Sequence, residues 1–426
     1  MNRRNFLLGT LVAGAAGALV TKPKDEGAPY DDYFRALNEE LKRNGPMRPC
    51  MVIDLDRLDH NIDAVMRSLR SVQGIERHYR VVAKSLPSVP LIEYVFKRSG
   101  TRRLMGFHQP FLNDEAEAFP DSDILLGKPM PVRTAENFYR NLKGGFDPSR
   151  QLQWLIDTPE RLQQYFELAK GLGTRLRINL EIDVGLHRGG VADNQTLGQV
   201  LALIAANPQQ LEFAGFMGYD PHVVKLPRWV GSRDELFHKA MARYQDFVDF
   251  TRAQYPQLWR DNLTLNAAGS PTYKLHEAER LSTELSVGSG LVKPTDFDVE
   301  TLSEHVPASF IATPVLKAEG HPLTLPGLEG MSALLSWWDP NQQQGYFIYG
   351  GNWMARYESP HGLRRNTLYG YSSNQEDVTG SNAVGLKVDD NVFLRPKQSE
   401  AVLLQFGDLI AMRGGRIEGY WPPLKA

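Results

Sequence analysis

The spacing of apolar and polar residues up to about residue 300 predicts short buried strands that alternate with amphipathic helices. Helical periodicity is clear in TPERLQQYFELAKGLG and NQTLGQVLALIAANP, each of which lies between two strand-like segments. Strands that alternate with helices favour parallel βαβ units, and eight of them predict a (β/α)₈ barrel, with a doubly wound open sheet as the alternative. The eight predicted strands are Tyr79–Lys84, Arg103–Phe107, Asp123–Leu126, Leu152–Ile156, Leu176–Asp183, Phe213–Tyr219, Leu263–Ala268 and Glu284–Gly288.

The pattern changes on both sides of this region. Residues 22–47 predict a polar linker and then an amphipathic helix from Tyr30 to Asn44. Residues 301–426 contain short alternating segments separated by Gly, Asp and Asn, which predict a C-terminal all-β domain. We assign 48–300 to the barrel, although a strand near 51–55 precedes the eight and is also compatible with the β domain.

The first 21 residues have the features of an export signal. Arg3 and Arg4 precede an uncharged stretch from Phe6 to Val20 that contains several small residues. The stretch of about 15 residues is shorter than the roughly 20 that a membrane-spanning helix needs. The arginine pair resembles a twin-arginine signal, which predicts a periplasmic protein with no stable membrane insertion after cleavage. An uncleaved membrane anchor is the alternative.

Composition excludes several classes of function. The formal net charge is -2, and no basic stripe with interleaved aromatic residues is present, so we expect no nucleic-acid partner. Cys50 is the single cysteine, which excludes an internal disulfide and a zinc site built from several thiolates.

The first predicted barrel strand brings a lysine to its C-terminal end. Tyr79–Lys84 alternates apolar and polar positions and stops at the turn-like SLPSVP. A buried ammonium group is costly unless it is paired or neutralised, so Lys84 is a candidate reactive group. The alternative is a lysine whose stem packs on the strand end while its charge reaches water.

Two loops of small residues follow the seventh and eighth predicted strands, where barrels of this type commonly bind phosphate. Backbone N–H groups in such loops can approach a phosphate because no Cβ is in the way. A lysine facing a phosphate site across the barrel mouth indicates pyridoxal phosphate held as a Schiff base. The residues concerned are Gly269, Ser270 and Thr272 after strand seven, and Gly288 and Ser289 after strand eight.

The fifth and sixth predicted strands supply further candidates at the same rim. Arg188 follows a glycine turn in EIDVGLHRGGV and is placed to reach the phenolic oxygen of the cofactor, unless it is a surface arginine. Tyr219 and His222 lie in GYDPH, where His222 is a candidate catalytic group or a structural histidine.

These stretches resemble the fold-type III pyridoxal phosphate enzymes, the alanine racemase superfamily, and within it the D-threonine aldolase and D-serine dehydratase-like branch. The matching segments are RVVAKS, EIDVGLHRGGV, GFMGYDPH, AAGSPTY, TELSVGS, VFLRPKQSE and GRIEGYWP. The resemblance implies Lys84 as the Schiff-base lysine, Arg188 as the partner of the pyridoxal oxygen and Tyr219 near the ring. It also implies a homodimer, and a phosphate site formed by Gly269, Ser270, Gly288 and Ser289.

The sequence departs from that branch at two places. Val82 stands where the branch has histidine, and Gln398 and Glu400 stand at its two metal-ligand positions. An amide oxygen with one carboxylate is a poor transition-metal site, although it is tolerable for a hard cation with water ligands. We therefore assign no metal site with certainty at Gln398 and Glu400.

The sequence thus predicts an exported pyridoxal phosphate enzyme that acts on amino acids, preferably of the D configuration. The leading reaction is aldolase-type cleavage of the Cα–Cβ bond of a β-hydroxy amino acid such as D-threonine, with Lys84 and His222 as catalytic groups. An amino-acid racemase or a D-serine dehydratase-like lyase is the alternative. A pyridoxal phosphate-binding regulatory or carrier protein is the non-enzymatic alternative.

Overall fold

The computed structural model describes residues 22–72, 74–227, 229–366 and 368–425. The predicted export signal at residues 1–21 lies outside the described residues. The described chain forms two compact units. One contains the residues up to Asp54 together with Ser309–Lys397 and Phe406–Tyr420. The other contains Leu55–Ala308, Gln398–Gln405 and the described residues from Trp421 onward.

The second of these units is a closed barrel of eight parallel strands, which confirms the (β/α)₈ prediction. The open-sheet alternative is wrong because the last strand pairs with the first, for example Val81 with Val287. The strands are β2 (His78–Val82), β3 (Arg103–Gly106), β4 (Asp123–Leu126), β5 (Leu152–Ile156), β6 (Leu176–Ile182), β7 (Leu211–Gly218), β8 (Thr264–Ala267) and β9 (Glu284–Val287). Here β1 denotes Cys50–Asp54, which lies outside the barrel.

Helices connect most successive barrel strands, and several carry clear local signals. Thr158 caps the helix Pro159–Leu172, which ends at Gly173 in the left-handed conformation with φ 60°. The helix Arg233–Gln254 begins with a capping box formed by Ser232 and Glu235. The helices of the barrel unit are Leu55–Arg70, Val89–Ser99, Phe111–Ala118, Val132–Asn141, Pro148–Gln151, Pro159–Leu172, Asn194–Ala206, His222–Lys225, Arg233–Gln254 and Ser289–Val292.

A layer of charged side chains lies inside the barrel. Arg80 is fully buried and donates through Nη2 to Glu284 Oε2 at 2.9 Å and to Asp123 Oδ1 at 2.5 Å. Arg103 also donates to Glu284 Oε2, at 3.0 Å, and Asn266 donates to Glu284 Oε1 at 2.7 Å. Buried charges of opposite sign are tolerated when they are paired and hydrogen-bonded in this way. The β2, β3, β4, β8 and β9 strands are therefore joined by side chains as well as by their backbones.

The other unit is a mostly antiparallel sheet with one helix packed on it. Strand β1 pairs antiparallel with Ser309–Ala318 and parallel with Leu409–Arg413, so it belongs to this sheet and not to the barrel. The helix Asp32–Asn44 starts two residues later than predicted because Asp31 caps it by accepting from Phe34 N. Its apolar face packs on the sheet through Phe34, which lies against Phe310 and Phe393.

The remaining strands of this sheet follow the alternating segments of the sequence. They are β10 (Ser309–Ala318), β11 (Gln344–Tyr349), β12 (Ala355–Ser359), β13 (Arg364–Arg365), β14 (Gln375–Gly380), β15 (Asn391–Pro396), β16 (Leu409–Arg413) and β17 (Arg416–Trp421). A helix that the sequence analysis did not predict, Glu329–Trp338, follows β10. Among the described helices of both units, none is long and apolar enough to cross a membrane.

Candidate active site

Lys84 lies at the C-terminal mouth of the barrel, directly after β2. The strand ends at Val82, and Ala83–Ser85 form one 3₁₀ turn, so Lys84 stands on this turn and not in the strand as predicted. Its side chain is 43% exposed, and its Nζ lies 3.3 Å from Glu400 Oε1. The same nitrogen lies 4.8 Å from the centroid of the Phe107 ring. The turn thus presents the amine to the cavity while an acid holds it there.

Glu400 is linked to the barrel by hydroxyl groups as well as by Lys84. Its Oε1 accepts from Ser85 Oγ at 3.3 Å, and its Oε2 accepts from Ser399 Oγ at 3.2 Å. Ser289 Oγ lies 2.8 Å from Ser85 Oγ and 3.3 Å from Ser399 Oγ. These four side chains form a closed ring of polar contacts that we call the hydroxyl ring, in which Ser289 donates to either Ser85 or Ser399 at one time. The ring connects the loop after β9 to the carboxylate beside Lys84.

The loops after β8 and β9 meet at Ser270. Its Oγ accepts hydrogen bonds from Gly288 N at 3.2 Å and from Gly290 N at 2.9 Å. A hydroxyl has two acceptor positions and one hydrogen, so this arrangement uses both acceptor positions and leaves the O–H to donate. Ser270 lines the cavity, where that hydrogen can bind an anion.

Glycine is required at two positions of these loops. A Cβ on Gly269 would lie 2.5 Å from Tyr219 Cε2, and a Cβ on Gly288 would lie 2.6 Å from Val82 Cβ. Both distances are shorter than a carbon–carbon contact allows. The glycines therefore allow the two loops to approach the neighbouring strand ends closely.

Thr272 lies in the loop after β8, close to Gly269 and Ser270, but does not line the cavity. It is fully buried, donates to Asp220 Oδ1 at 2.6 Å and accepts from Gly269 N at 3.2 Å. Asp220 in turn accepts from His276 Nε2 at 2.9 Å through its other oxygen, and His276 Nδ1 lies 3.0 Å from Glu279 Oε1. Burial lowers the pKa of His276, but the two carboxylates outweigh this and raise it to about 9. The imidazole is therefore cationic at neutral pH and donates to both acids.

Arg188 and Tyr219 come together at the mouth. The Arg188 guanidinium lies 5.0 Å from the centroid of the Tyr219 ring, and both residues line the cavity. Burial raises the pKa of the Tyr219 phenol; the Arg188 charge lowers it, whereas Asp220 and Glu400 raise it further. The phenol is therefore neutral at physiological pH and remains a hydrogen-bond donor.

His222 begins the short helix after β7 and is not among the residues that line the cavity. Its Nδ1 is buried without a hydrogen-bond partner among the described residues. Burial lowers the pKa of this imidazole, although Asp220 and Asp183 oppose the shift. The structure thus places His222 outside the cavity lining and next to the Gly185 turn, where a Cβ on Gly185 would lie 3.2 Å from His222 Nε2.

Gln398 and Glu400 point to different partners. Gln398 Nε2 donates to Asp296 Oδ2 at 3.1 Å in an exposed position, whereas Glu400 contacts Lys84. Across 22–425, apart from the three undescribed internal positions, no group of three or more His, Cys, Asp or Glu side chains is arranged to hold a metal ion.

The cavity gathers most of the sequence-predicted residues and several that the sequence did not reveal. Of the predicted set it is lined by Lys84, Arg188, Tyr219, Gly269, Ser270, Gly288, Ser289 and Glu400. The additional lining residues are Val82, Ser85, Met105, Phe107, Gly127, Met217, Asn266, Ala268, Pro271, Ser286 and Phe297. Ser85 and Asn266 could have been found from their positions beside Lys84 and at the end of β8. Phe107 and Phe297 carry no local signal.

The model of the alanine racemase N-terminal domain matches residues 53–296, which is more than half of the chain. The chain belongs to the alanine racemase N-terminal domain family. Within it, the chain is 23% identical over 394 residues to 3-hydroxy-D-aspartate aldolase from Paracoccus denitrificans (strain Pd 1222), covering 88% of this chain and 90% of that protein.

Solved structures share the fold of this family member at low sequence identity. D-threonine aldolase from Filomicrobium marinum superimposes with a TM-score of 0.66 and 16% identity, covering 88% of this chain and 97% of that one. D-threo-3-hydroxyaspartate dehydratase from Delftia sp. HT23 superimposes with a TM-score of 0.64 and 18% identity, covering 89% of this chain and 97% of that one. Alanine racemase from Bacillus anthracis superimposes with a TM-score of 0.64 and 13% identity, covering 88% of this chain and 97% of that one. These similarities establish the fold of the alanine racemase superfamily, whose members use pyridoxal phosphate.

Proposed function

We propose that the protein is a pyridoxal phosphate-dependent enzyme that cleaves the Cα–Cβ bond of a β-hydroxy-D-amino acid. The observation that carries the proposal is the position of the Lys84 amine at the barrel mouth, in one cavity with the glycine loops around Ser270. A primary amine is the group that attaches this cofactor, and a small-residue loop is the group that holds its phosphate.

The donor chemistry of the cavity fits the cofactor. The free O–H of Ser270 can donate to a phosphate oxygen because both of its acceptor positions are occupied by backbone N–H groups. Gly269 and Gly288 form a cradle in which a Cβ would collide with the strand ends. The cationic Arg188 lies over the ring of Tyr219, which borders Gly269. An anionic phosphate and a phenolic oxygen thus both have suitable partners.

Bound pyridoxal phosphate supplies an electron sink for the electron pair that remains on Cα after bond cleavage. The chain's own residues perform the other tasks. The Lys84 amine attaches the cofactor. The Phe107 ring lies against the Lys84 amine on one side. Ser270 and the glycine loops fix the phosphate, and Arg188 favours the anionic form of the phenolic oxygen.

Two of the relatives support the choice of reaction. The Paracoccus relative is named as an aldolase of 3-hydroxy-D-aspartate, and the Filomicrobium structure as a D-threonine aldolase. Both names describe cleavage of a D-amino acid that carries a β-hydroxyl. A racemase of amino acids remains the competing reaction, because alanine racemases share the same fold.

The experiment that tests the proposal is a substrate screen with a cofactor assay. The protein purified with pyridoxal phosphate should form glycine and an aldehyde from D-threonine or 3-hydroxy-D-aspartate, and not from the L-enantiomers. Racemisation without cleavage would replace the aldolase assignment by the racemase one. After borohydride reduction, mass spectrometry should find the cofactor covalently attached to the wild-type protein and not to the Lys84→Ala variant. Labelling of a different lysine in the wild-type protein would refute the site.

We also propose that the protein is exported to the periplasm and acts as a homodimer. The support is the sequence of residues 1–21 for export and the family resemblance for the dimer. Light scattering on the purified protein measures the assembly directly, and a monomer at micromolar concentration would contradict the dimer.

A further inference from the structure

Glu400 is the single acid among the residues that line the cavity of the described chain. Its side chain is 31% exposed and faces Lys84. This carboxylate comes from the segment Gln398–Gln405, which is remote in sequence from the barrel strands but belongs to the barrel unit. An acid in such a position needs a reason, because its charge opposes the binding of anionic substrates and of phosphate.

The acceptor positions of Glu400 show what the carboxylate can still bind. A carboxylate has about four lone-pair positions. Three are used here, by Lys84 Nζ and Ser85 Oγ on Oε1 and by Ser399 Oγ on Oε2. During cleavage Lys84 would be a free amine, because the substrate would then hold the cofactor, so the fourth position, on Oε2, is the one left for a substrate hydroxyl. Glu400 therefore offers one open acceptor position in the cavity that also holds the Lys84 amine, while the hydroxyl ring holds the carboxylate in place.

From this geometry we propose that Glu400 binds the β-hydroxyl of the substrate and accepts its proton during Cα–Cβ cleavage. The inference rests on the proposed aldolase function and names the base of that reaction. The hydroxyl proton passes to a Glu400 oxygen, and the O–H electron pair forms the C=O bond of the aldehyde. The Cα–Cβ bond breaks, its electron pair remains on Cα, and a proton taken up from solvent replaces Cβ there. A β-hydroxy amino acid thus gives glycine and an aldehyde, and Glu400 returns its proton to solvent, so no oxidant or reductant is needed.

The position of Glu400 also distinguishes it from the other candidate base. His222 lies at the rim and does not line the cavity, whereas Glu400 contacts the amine that carries the chemistry. A general base must be within hydrogen-bond reach of the proton that it removes. Glu400 is the candidate placed for that task, because it lines the cavity and lies 3.3 Å from the Lys84 amine.

The test compares Glu400→Gln with wild type in three measurements. The amide keeps the shape and accepts a hydrogen bond, but it cannot take the proton. Cleavage of D-threonine should fall by about 10²–10⁴-fold, the usual contribution of a general base. The cofactor affinity of the apoprotein, measured by absorbance titration, should change less than about threefold. Exchange of the α-proton of glycine in D₂O, which needs no β-hydroxyl, should persist.

Two controls complete the design. Glu117→Gln removes one exposed carboxylate on the outer helix Phe111–Ala118 and should match wild type in all three measurements. Glu400→Asp keeps an acid and should recover part of the cleavage rate, which also covers the case that the amide variant fails to fold.

Each result decides between defined alternatives. Cleavage by Glu400→Gln within threefold of wild type overturns the inference and leaves the aldolase function intact. A parallel loss of cofactor affinity, α-proton exchange and cleavage also overturns it, since Glu400 would then act only by holding Lys84. A wild-type protein that exchanges α-protons but cleaves no β-hydroxy amino acid refutes the proposed function itself.

Discussion

Thr272 donates its hydroxyl hydrogen to Asp220 over 2.6 Å, and both side chains are fully buried. The same oxygen accepts from Gly269 N, so one residue joins the loop after β7 to the loop after β8. Two parts of the cavity wall, around Tyr219 and around Ser270, therefore depend on a contact that lies behind the wall.

Replacing Thr272 by valine should weaken cofactor binding and lower the stability of the protein. Valine has nearly the same shape but removes the donor to Asp220, and a hydrogen bond to a buried charged group is worth about 1.5–3 kcal/mol. We expect about tenfold weaker binding of pyridoxal phosphate by absorbance titration and a lower midpoint of thermal unfolding. Thr272→Ser keeps the hydroxyl and serves as the control. Equal affinities for the valine variant and wild type would show that the loop does not need this contact.

The close approach of Gly288 to the end of β2 leads to a second prediction, for which Gly145 in the same chain supplies a matched control. In Gly288→Ala the new methyl group would lie 2.6 Å from Val82 Cβ and 3.0 Å from Ser85 Cβ, so the loop must move. In Gly145→Ala the methyl group meets nothing within 4 Å. Isothermal titration with pyridoxal phosphate should show at least a tenfold loss for the first variant and no change for the second. Similar losses in both would indicate a general effect of alanine on the fold.

The buried His276 predicts a specific dependence of stability on pH. Its pKa in the folded protein is raised to about 9 from an ordinary value of 6.5. Protonation therefore stabilises the folded state fully below about pH 6.5, and this contribution disappears as the pH rises through about 9. The midpoint temperature of thermal unfolding of the wild-type protein should fall between pH 7 and 9. The His276→Gln variant should be less stable than wild type at pH 7, and its midpoint should depend less on pH. A variant with the same pH profile as wild type would contradict the assignment.

Export is tested by the two arginines near the N-terminus. If Arg3 and Arg4 form a twin-arginine signal, their joint replacement by lysine should keep the precursor inside the cell. Fractionation followed by immunoblotting should show the full-length chain in the cytoplasm and little in the periplasm. Normal delivery of the double variant would indicate another export route or a membrane anchor.

Much of the barrel could be predicted from sequence because strand and helix periodicities are local. All eight predicted barrel strands occur, with ends that differ by up to two residues. The end of β2 illustrates the limit, since Val82 is the last strand residue and Lys84 lies on the following turn. Alternation along Tyr79–Lys84 does not distinguish a last strand residue from a 3₁₀ turn.

The partner of Lys84 could not be predicted in the same way. Glu400 follows Ser85, the chain neighbour of Lys84, by 315 positions. Nothing in the local pattern near Glu400 indicates which side chain it approaches. The sequence placed Glu400 at a metal-ligand position by resemblance alone. Its contact with the amine follows from the path of Gln398–Gln405 along the barrel unit, and that path is a property of the tertiary fold.

The buried Arg80 layer limits how the barrel can change during evolution or engineering. Removing Glu284 alone leaves the fully buried Arg80 with only the partly exposed Asp123 as counter-charge, and the loss of one partner of a buried ion pair costs about 3–5 kcal/mol in known cases. Replacing the whole set by apolar residues of similar volume often leaves the stability unchanged. The charged and the apolar versions of the layer are therefore both stable, whereas the single variants between them are not. Mutational routes that alter substrate preference are therefore expected to pass through the loops at the mouth, while the charged layer changes only as a group.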